Sequence, residues 1–145
     1  MTTISFQQML RKFVAEHPAE ARALAISFAQ HLPLAGADGR IKAAVRAAEQ
    51  YLRGAASARD VEFHRNLNGD VLNYHAGRPW GTQSAEWLLA RAASRVVEVA
   101  FAEEAGLRAA VANFADCAVA AARTGRAERE WQTAELNRAM SEVTH

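Results

Sequence analysis

Two alanine-dense stretches, TQSAEWLLARAASRVVEVAFAEEAG at residues 82–106 and LRAAVANFADCAVAAARTG at 107–125, constrain this chain more than any other feature. Alanine loses no side-chain entropy on entering a helix and has the highest helix propensity, so both stretches predict long α-helices. In the first, Arg91, Arg95 and Glu98 form one narrow polar stripe, while Leu88, Leu89, Ala92, Ala93, Val96, Val97, Val99 and Ala100 cover the rest. An apolar arc that wide marks a central helix, running from a Thr82 or Ser84 cap to Gly106. The second stretch, with Asn113, Asp116 and Arg123 on one stripe, reads as more buried still. Small side chains let such helices approach toward the short end of the usual ~8–10 Å interaxial range.

The remaining sequence carries further helix signals and no strand signal. Ser5 and Gln8 in SFQQ form a capping box, with Ile4 and Met9 at the spacing of a hydrophobic staple. That first helix is expected to stop near His17. Pro18 suits the first turn of a second helix, PAEARALAISFAQHL. PLAGADG, residues 33–39, is the clearest loop of the N-terminal half. A third helix places Ile41, Val45, Ala48 and Leu52 on one stripe and ends at Gly54. Ser57 and Asp60 open a fourth, which Gly69 is expected to weaken or end. In the last helix, Ala127, Trp131 and Ala134 lie on one side and Leu136, Met140 and Val143 on another, predicting a change of contact face. The expectation is an all-α, single-domain bundle of six or seven helices without strands: a helical pair at 4–32, a loop at 33–39 and a main bundle at 40–143.

A chain of 145 residues is one domain in size and buries roughly 70% of its unfolded surface without a covalent staple. Its 17 basic and 16 acidic residues leave a net charge of +1. Nucleic acid or an anionic membrane would call for a wide field of one sign, so neither is expected as a partner. The lone Cys117 sits among small apolar residues and reads as a buried hydrophobe in a reducing compartment. MTTISFQQMLRKF shows no basic leader followed by an apolar run, and no apolar segment reaches the ~20 residues of a membrane span. A cytoplasmic protein is expected.

The segment NYHAGRPW, residues 73–80, is the least helical in the sequence and holds its densest group of contact-forming side chains. Trp, Tyr and Arg are the residues most enriched in binding hot spots, and all three occur within these eight positions. Tyr74, His75, Arg78 and Trp80 are therefore the candidate partner-binding residues. A purely structural role, aromatic rings plugging the end of an alanine-rich bundle, explains the same residues equally well. His64 and His75, with Asp60, Glu62 and Asp70 near, raise a metal-dependent hydrolase as the alternative. The tight His or Cys spacing of an established metal motif is missing, and an exposed Asp60–His64 pair with His75 in a loop accounts for the same residues. GADGR, a turn before a helix start, is a weaker place for an anion. Asp116 and Arg123 read as a solvent-facing stripe or an internal pair. There is no phosphate loop, nucleophile elbow or recognition helix, and no catalytic residue, metal or cofactor is assigned.

The succession AEQYLRG, a variable segment, two alanine-rich helices and a charged AEREWQTAEL terminus resembles the alanine-rich immunity proteins of bacterial toxin systems over residues 40–140. NYHAGRPWGTQ departs from the uninterrupted alanine runs of that pattern, and no functional residue carries over. The resemblance implies a non-enzymatic inhibitor, of immunity or phage type, that binds one protein partner. The two-sided C-terminal helix leaves a self-associating module, a homodimer through that helix, as a further reading.

Overall fold

A computed structural model describes residues 4–144; Met1, Thr2 and Thr3 of the stretch read for a leader lie outside it. Seven α-helices and no strand occur among the described residues: α1 (Phe6–Glu16), α2 (Pro18–Gln30), α3 (Gly39–Leu52), α4 (Ala58–Ala76), α5 (Ala85–Phe101), α6 (Glu104–Ala121) and α7 (Gly125–Val143). A single 3₁₀ turn, Gly81–Gln83, precedes α5. No described helix is long and apolar enough to cross a membrane.

Short-range signals set most of the helix ends. Ser5 accepts from the Gln8 N–H while the Gln8 side chain accepts from the Ser5 N–H, completing the expected capping box. Ile4 stays 64% exposed, so the expected staple buries little of it. Ser57 and Ser84 cap α4 and α5 through the N–H groups of Asp60 and Trp87. Gly54 ends α3 with φ +76°, and the Ala55 N–H reaches back to the Gln50 carbonyl, a Schellman closure that favours glycine at this position.

Helix α5 is the axis of the fold. From Glu86 to Phe101 none of its residues is exposed, and α2, α3, α4 and α6 pack around it. It stops at Phe101, not at Gly106. Arg22 of α2 donates to the carbonyls of Val99 and Ala102 at 3.0 and 2.8 Å, satisfying acceptors that a longer α5 would have used internally. Glu103 and Glu104 then begin α6, where the helix dipole favours negative charge, and Gly106 lies inside its first turn.

Two other expectations are corrected. Helix α6 is less buried than α5: Ala105, Ala109, Asn113, Asp116 and Ala120 form an exposed stripe. Asp116 and Arg123 both face solvent, as one of the two readings of that stripe has it; Asp116 pairs with Arg129 and Gln7, and Arg129 in turn lies over the Phe6 ring, tying α1, α6 and α7 together. Helix α7 keeps one contact face. Glu128, Gln132, Leu136 and Ala139 are buried along a single stripe, while Ala127 and Ala134 are exposed.

Helix α4 runs unbroken through Gly69. Tertiary contacts override glycine's poor propensity, since Val61, Asn68 and Val71 are buried against the bundle. Fully buried Asn68 donates to the Ala90 carbonyl at 2.9 Å and to Ser94 Oγ at 3.2 Å. A Cβ at Gly69 would meet nothing within 4 Å. Gly69→Ala is therefore expected to stabilise the protein by about 0.5–1 kcal/mol, read as a higher midpoint in urea at unchanged slope.

Candidate functional site

The continuity of α4 redraws the 73–80 segment. Asn73, Tyr74, His75 and Ala76 form the last turn of the helix, so His75 is helical and not in a loop. Gly77 closes the helix, its N–H donating to the Asn73 carbonyl; the Arg78 N–H follows onto His75, and the Gly81 N–H onto Arg78. This ladder of turns folds the chain back so tightly that a Cβ on Gly81 would overlap the His75 carbonyl oxygen. Glycine at 81 is required by close approach rather than by its φ.

Ser84 completes the joint. Its hydroxyl donates to the Gly81 carbonyl at 2.8 Å, accepts the Trp87 N–H at 3.1 Å and lies 3.5 Å from Nδ1 of His75. With its proton on Gly81 and its oxygen capping α5, Ser84 is a structural hydroxyl, and the half-buried His75 beside it belongs to the same joint.

The other three candidate residues face solvent. Trp80 is 75% exposed and Tyr74 58%. Neither ring plugs the bundle. Arg78 donates to the Tyr74 hydroxyl at 2.7 Å, with its guanidinium carbon 4.5 Å from the centre of the same ring. Tyr74 also meets the His75 ring edge-on at 5.2 Å. Arg78 is thus held over an aromatic face one helical turn from its own position, while Trp80 projects freely beyond it.

Phe63 extends this surface and is absent from the residues that the sequence pattern singles out. It is 59% exposed on α4. Eleven residues separate it from Tyr74, three turns of an unbroken helix, so the two rings share a face. The spacing becomes informative only once the helix is known to continue through Gly69.

The same continuity separates the two histidines of the metal alternative. His64 and His75 stand roughly 16 Å apart along the helix axis, at 1.5 Å per residue, too far to share one ion. No group of three or more His, Cys, Asp and Glu residues suited to a metal occurs among the described residues. His64 packs edge-on against Phe63 at 5.1 Å, and its buried Nδ1 has no hydrogen-bond partner, Asp60 included, among the described residues.

A charged margin borders the joint. Asp38 caps α3 by accepting the Arg40 N–H and binds the Arg40 guanidinium at 2.8 Å, so the helix start proposed for an anion is already filled by the protein's own carboxylate. The Arg40 side chain, chiefly, with its backbone N–H and a smaller contribution from His75, holds the Asp38 carboxyl at about 2, below the ordinary 3.8. The Asp38 N–H in turn reaches Glu86 of α5 at 3.3 Å.

No protein-family model matches the chain, and no curated protein or solved structure matches it. The candidate surface rests on its own geometry.

Two measurements probe the joint and its margin. Gly81→Ala should lose about 3 kcal/mol in denaturant unfolding through overpacking against His75, while Gly77→Ala, whose added Cβ meets only ordinary contacts at 3.8 Å, should lose far less. Because the folded pKa of Asp38 is depressed, its contribution is complete above the unfolded value of 3.8 and is lost as pH falls through about 2. Asp38→Asn keeps a competent cap without the titrating charge. Its melting temperature should accordingly fall less steeply than the wild type's across that acid window.

Proposed function

We propose that this protein is a non-enzymatic inhibitor that neutralises one partner protein by direct contact, as an immunity protein does, with Tyr74, Arg78 and Trp80 at the centre of the contact and Phe63 extending it. The exposure of Trp80 carries the reading. A tryptophan buries 150–250 Å² when covered, and at roughly 25 cal/mol per Å² its burial by a partner stabilises a complex by several kcal/mol. The Tyr74–Arg78 pair adds preorganisation, since a guanidinium already fixed over a ring loses less rotamer freedom on docking. His75 contributes by holding the turn rather than by touching the partner. The near-balanced charge favours a protein over a nucleic acid. A buried free thiol, Cys117, accords with a cytoplasmic setting.

The test is alanine substitution at Arg78 and Trp80, measured against the partner recovered from the native cell or encoded beside the protein. Each should weaken affinity by about 2 kcal/mol or more while leaving the melting temperature close to wild type, as expected of exposed hot-spot residues. Losses below about 1 kcal/mol at both positions would remove the site assignment.

A further inference from the structure

A second surface centre is built where the end of α2 meets the start of α7. His31 follows the last turn of α2 and lies flat on Trp131, ring centroids 3.6 Å apart and planes 7° from parallel. Trp131 is backed by Phe28. Nδ1 of His31 is 2.8 Å from Oε2 of Glu128, whose side chain is only 6% exposed. A buried carboxylate accepts, so Nδ1 carries the hydrogen and the neutral ring keeps its lone pair on Nε2. Nε2 has no protein partner among the described residues, and the imidazole is 43% exposed. Stacking and the carboxylate fix the ring, and Nε2 is its nitrogen without a protein partner among the described residues.

A cleft of about 290 Å³ lies against this ring, with Arg123, Thr124, Ala127 and Glu128, whose Oε1 has no partner among the described residues, forming part of its other walls. On the side of Arg123 and the α7 start its chemistry suits an oxyanion. Thr124 places no side chain on the α7 cap, and the first helical hydrogen bond is from Glu128 to the Thr124 carbonyl, leaving the N–H groups of Gly125, Arg126 and Ala127 free. Helix N-terminal N–H groups and an exposed arginine together favour a phosphoryl group. The histidine meanwhile stands at the C-terminal end of α2, where positive charge is favoured. His31 and the first turn of α7 thus wall one cleft, between a helix end that favours a cationic ring and one that favours an anion.

We propose that His31 is a phosphoryl-acceptor site, taking its phosphoryl group from an acyl phosphate or phosphoramidate. Nε2 attacks phosphorus; the Nε2–P bond forms as the bond from phosphorus to the carboxylate oxygen, or to the phosphoramidate nitrogen, breaks. The leaving group departs with the electron pair, as a carboxylate from the acyl phosphate or as ammonia from phosphoramidate whose nitrogen already carries its proton. Nδ1 keeps its hydrogen, and the Glu128 carboxylate balances the positive charge that develops on the ring. Nothing is oxidised or reduced. Because phosphoryl transfer needs mainly positioning and charge stabilisation, the free N–H groups and Arg123 supply what the step requires. Glu128 is a positioning residue. The site is independent of the Trp80 surface.

The experiment incubates the full chain with acetyl phosphate and with phosphoramidate, mapping the label by peptide mass and by phosphorus NMR. His31 should be phosphorylated on Nε2 faster than His17, His64 and His75, which serve as internal controls. Glu128→Gln should slow labelling about 10-fold, as loss of a histidine-orienting carboxylate does elsewhere, and ring-nitrogen NMR should show His31 leaving the pure Nδ1–H tautomer. Arg123→Gln, an exposed change that disturbs no buried contact, should also slow labelling while leaving the tautomer in place. The proposal is overturned if His31 is labelled no faster than His17, His64 and His75, if Arg123→Gln is labelled at the wild-type rate, or if phosphate is released without a labelled histidine. The last outcome would make His31 a general base toward water.

Discussion

The fold is arranged around one helix that has no fully exposed residue between Glu86 and Phe101. Helices α2, α3, α4 and α6 pack around α5, its Arg95–Glu98 edge stays partly exposed, and its buried positions are mostly alanine and valine. Small side chains allow surrounding helices to approach closely, and close approach converts a core poor in large plugs into a dense one. The arrangement constrains the ends of α5 as strongly as its middle. Its N-terminus must be capped where α4 turns back, which Ser84 does; its C-terminal carbonyls must be satisfied where α6 begins, which Arg22 does from α2. The Trp80 surface is a consequence of the first requirement. To bring α4 into contact with the start of α5, the chain makes a turn whose inner side admits only glycine at 81, and the residues on its outer side are left facing water.

Signals that act over a few residues were legible in the sequence. Caps at Ser5, Ser57 and Ser84, proline at the start of α2 and glycine after α3 all mark helix ends through groups three or four positions away, and all appear in the structure. What could not be read depends on distant partners. Gly69 looks like a break until Asn68 is seen buried against α5, and Gly106 looks like a terminus until Arg22 is seen stopping α5 earlier. The face of α7 escapes the hydrophobic pattern for a related reason. Periodicity follows hydrophobic residues, whereas the stripe that α7 buries begins with Glu128 and Gln132.

The candidate surface shows the same division. Its aromatic and basic composition stands out in NYHAGRPW, but the helical course of Asn73–Ala76 and the membership of Phe63 follow only from the continuity of α4. Composition could not separate plug from surface, because both uses demand large rings. Exposure separates them: a plug at this site would bury Trp80, whereas its indole is three-quarters in solvent.

The buried polar side chains complete the account of how a smooth, alanine-rich interior is held in one register. Close-packed small residues present few knobs, so sliding one helix along another meets little steric resistance. Asn68 donates to the Ala90 carbonyl of α5, and Gln132 donates to the Ala115 carbonyl of α6. Each is a directional bond from one helix to a fixed point on another, and a displacement by one residue would leave a buried donor unpaired at a cost of about 1–3 kcal/mol. Glu128, one turn before Gln132 on the same stripe, does not fit this pattern. Its bond is to His31, a ring at the surface, and it ties no helix backbone in place. A leucine there would pack at least as well, since a buried carboxylate carries a desolvation penalty that a hydrogen bond only offsets. The feature that a leucine could not provide is the orientation of an exposed imidazole, so the function of Glu128 has to be sought in what His31 does.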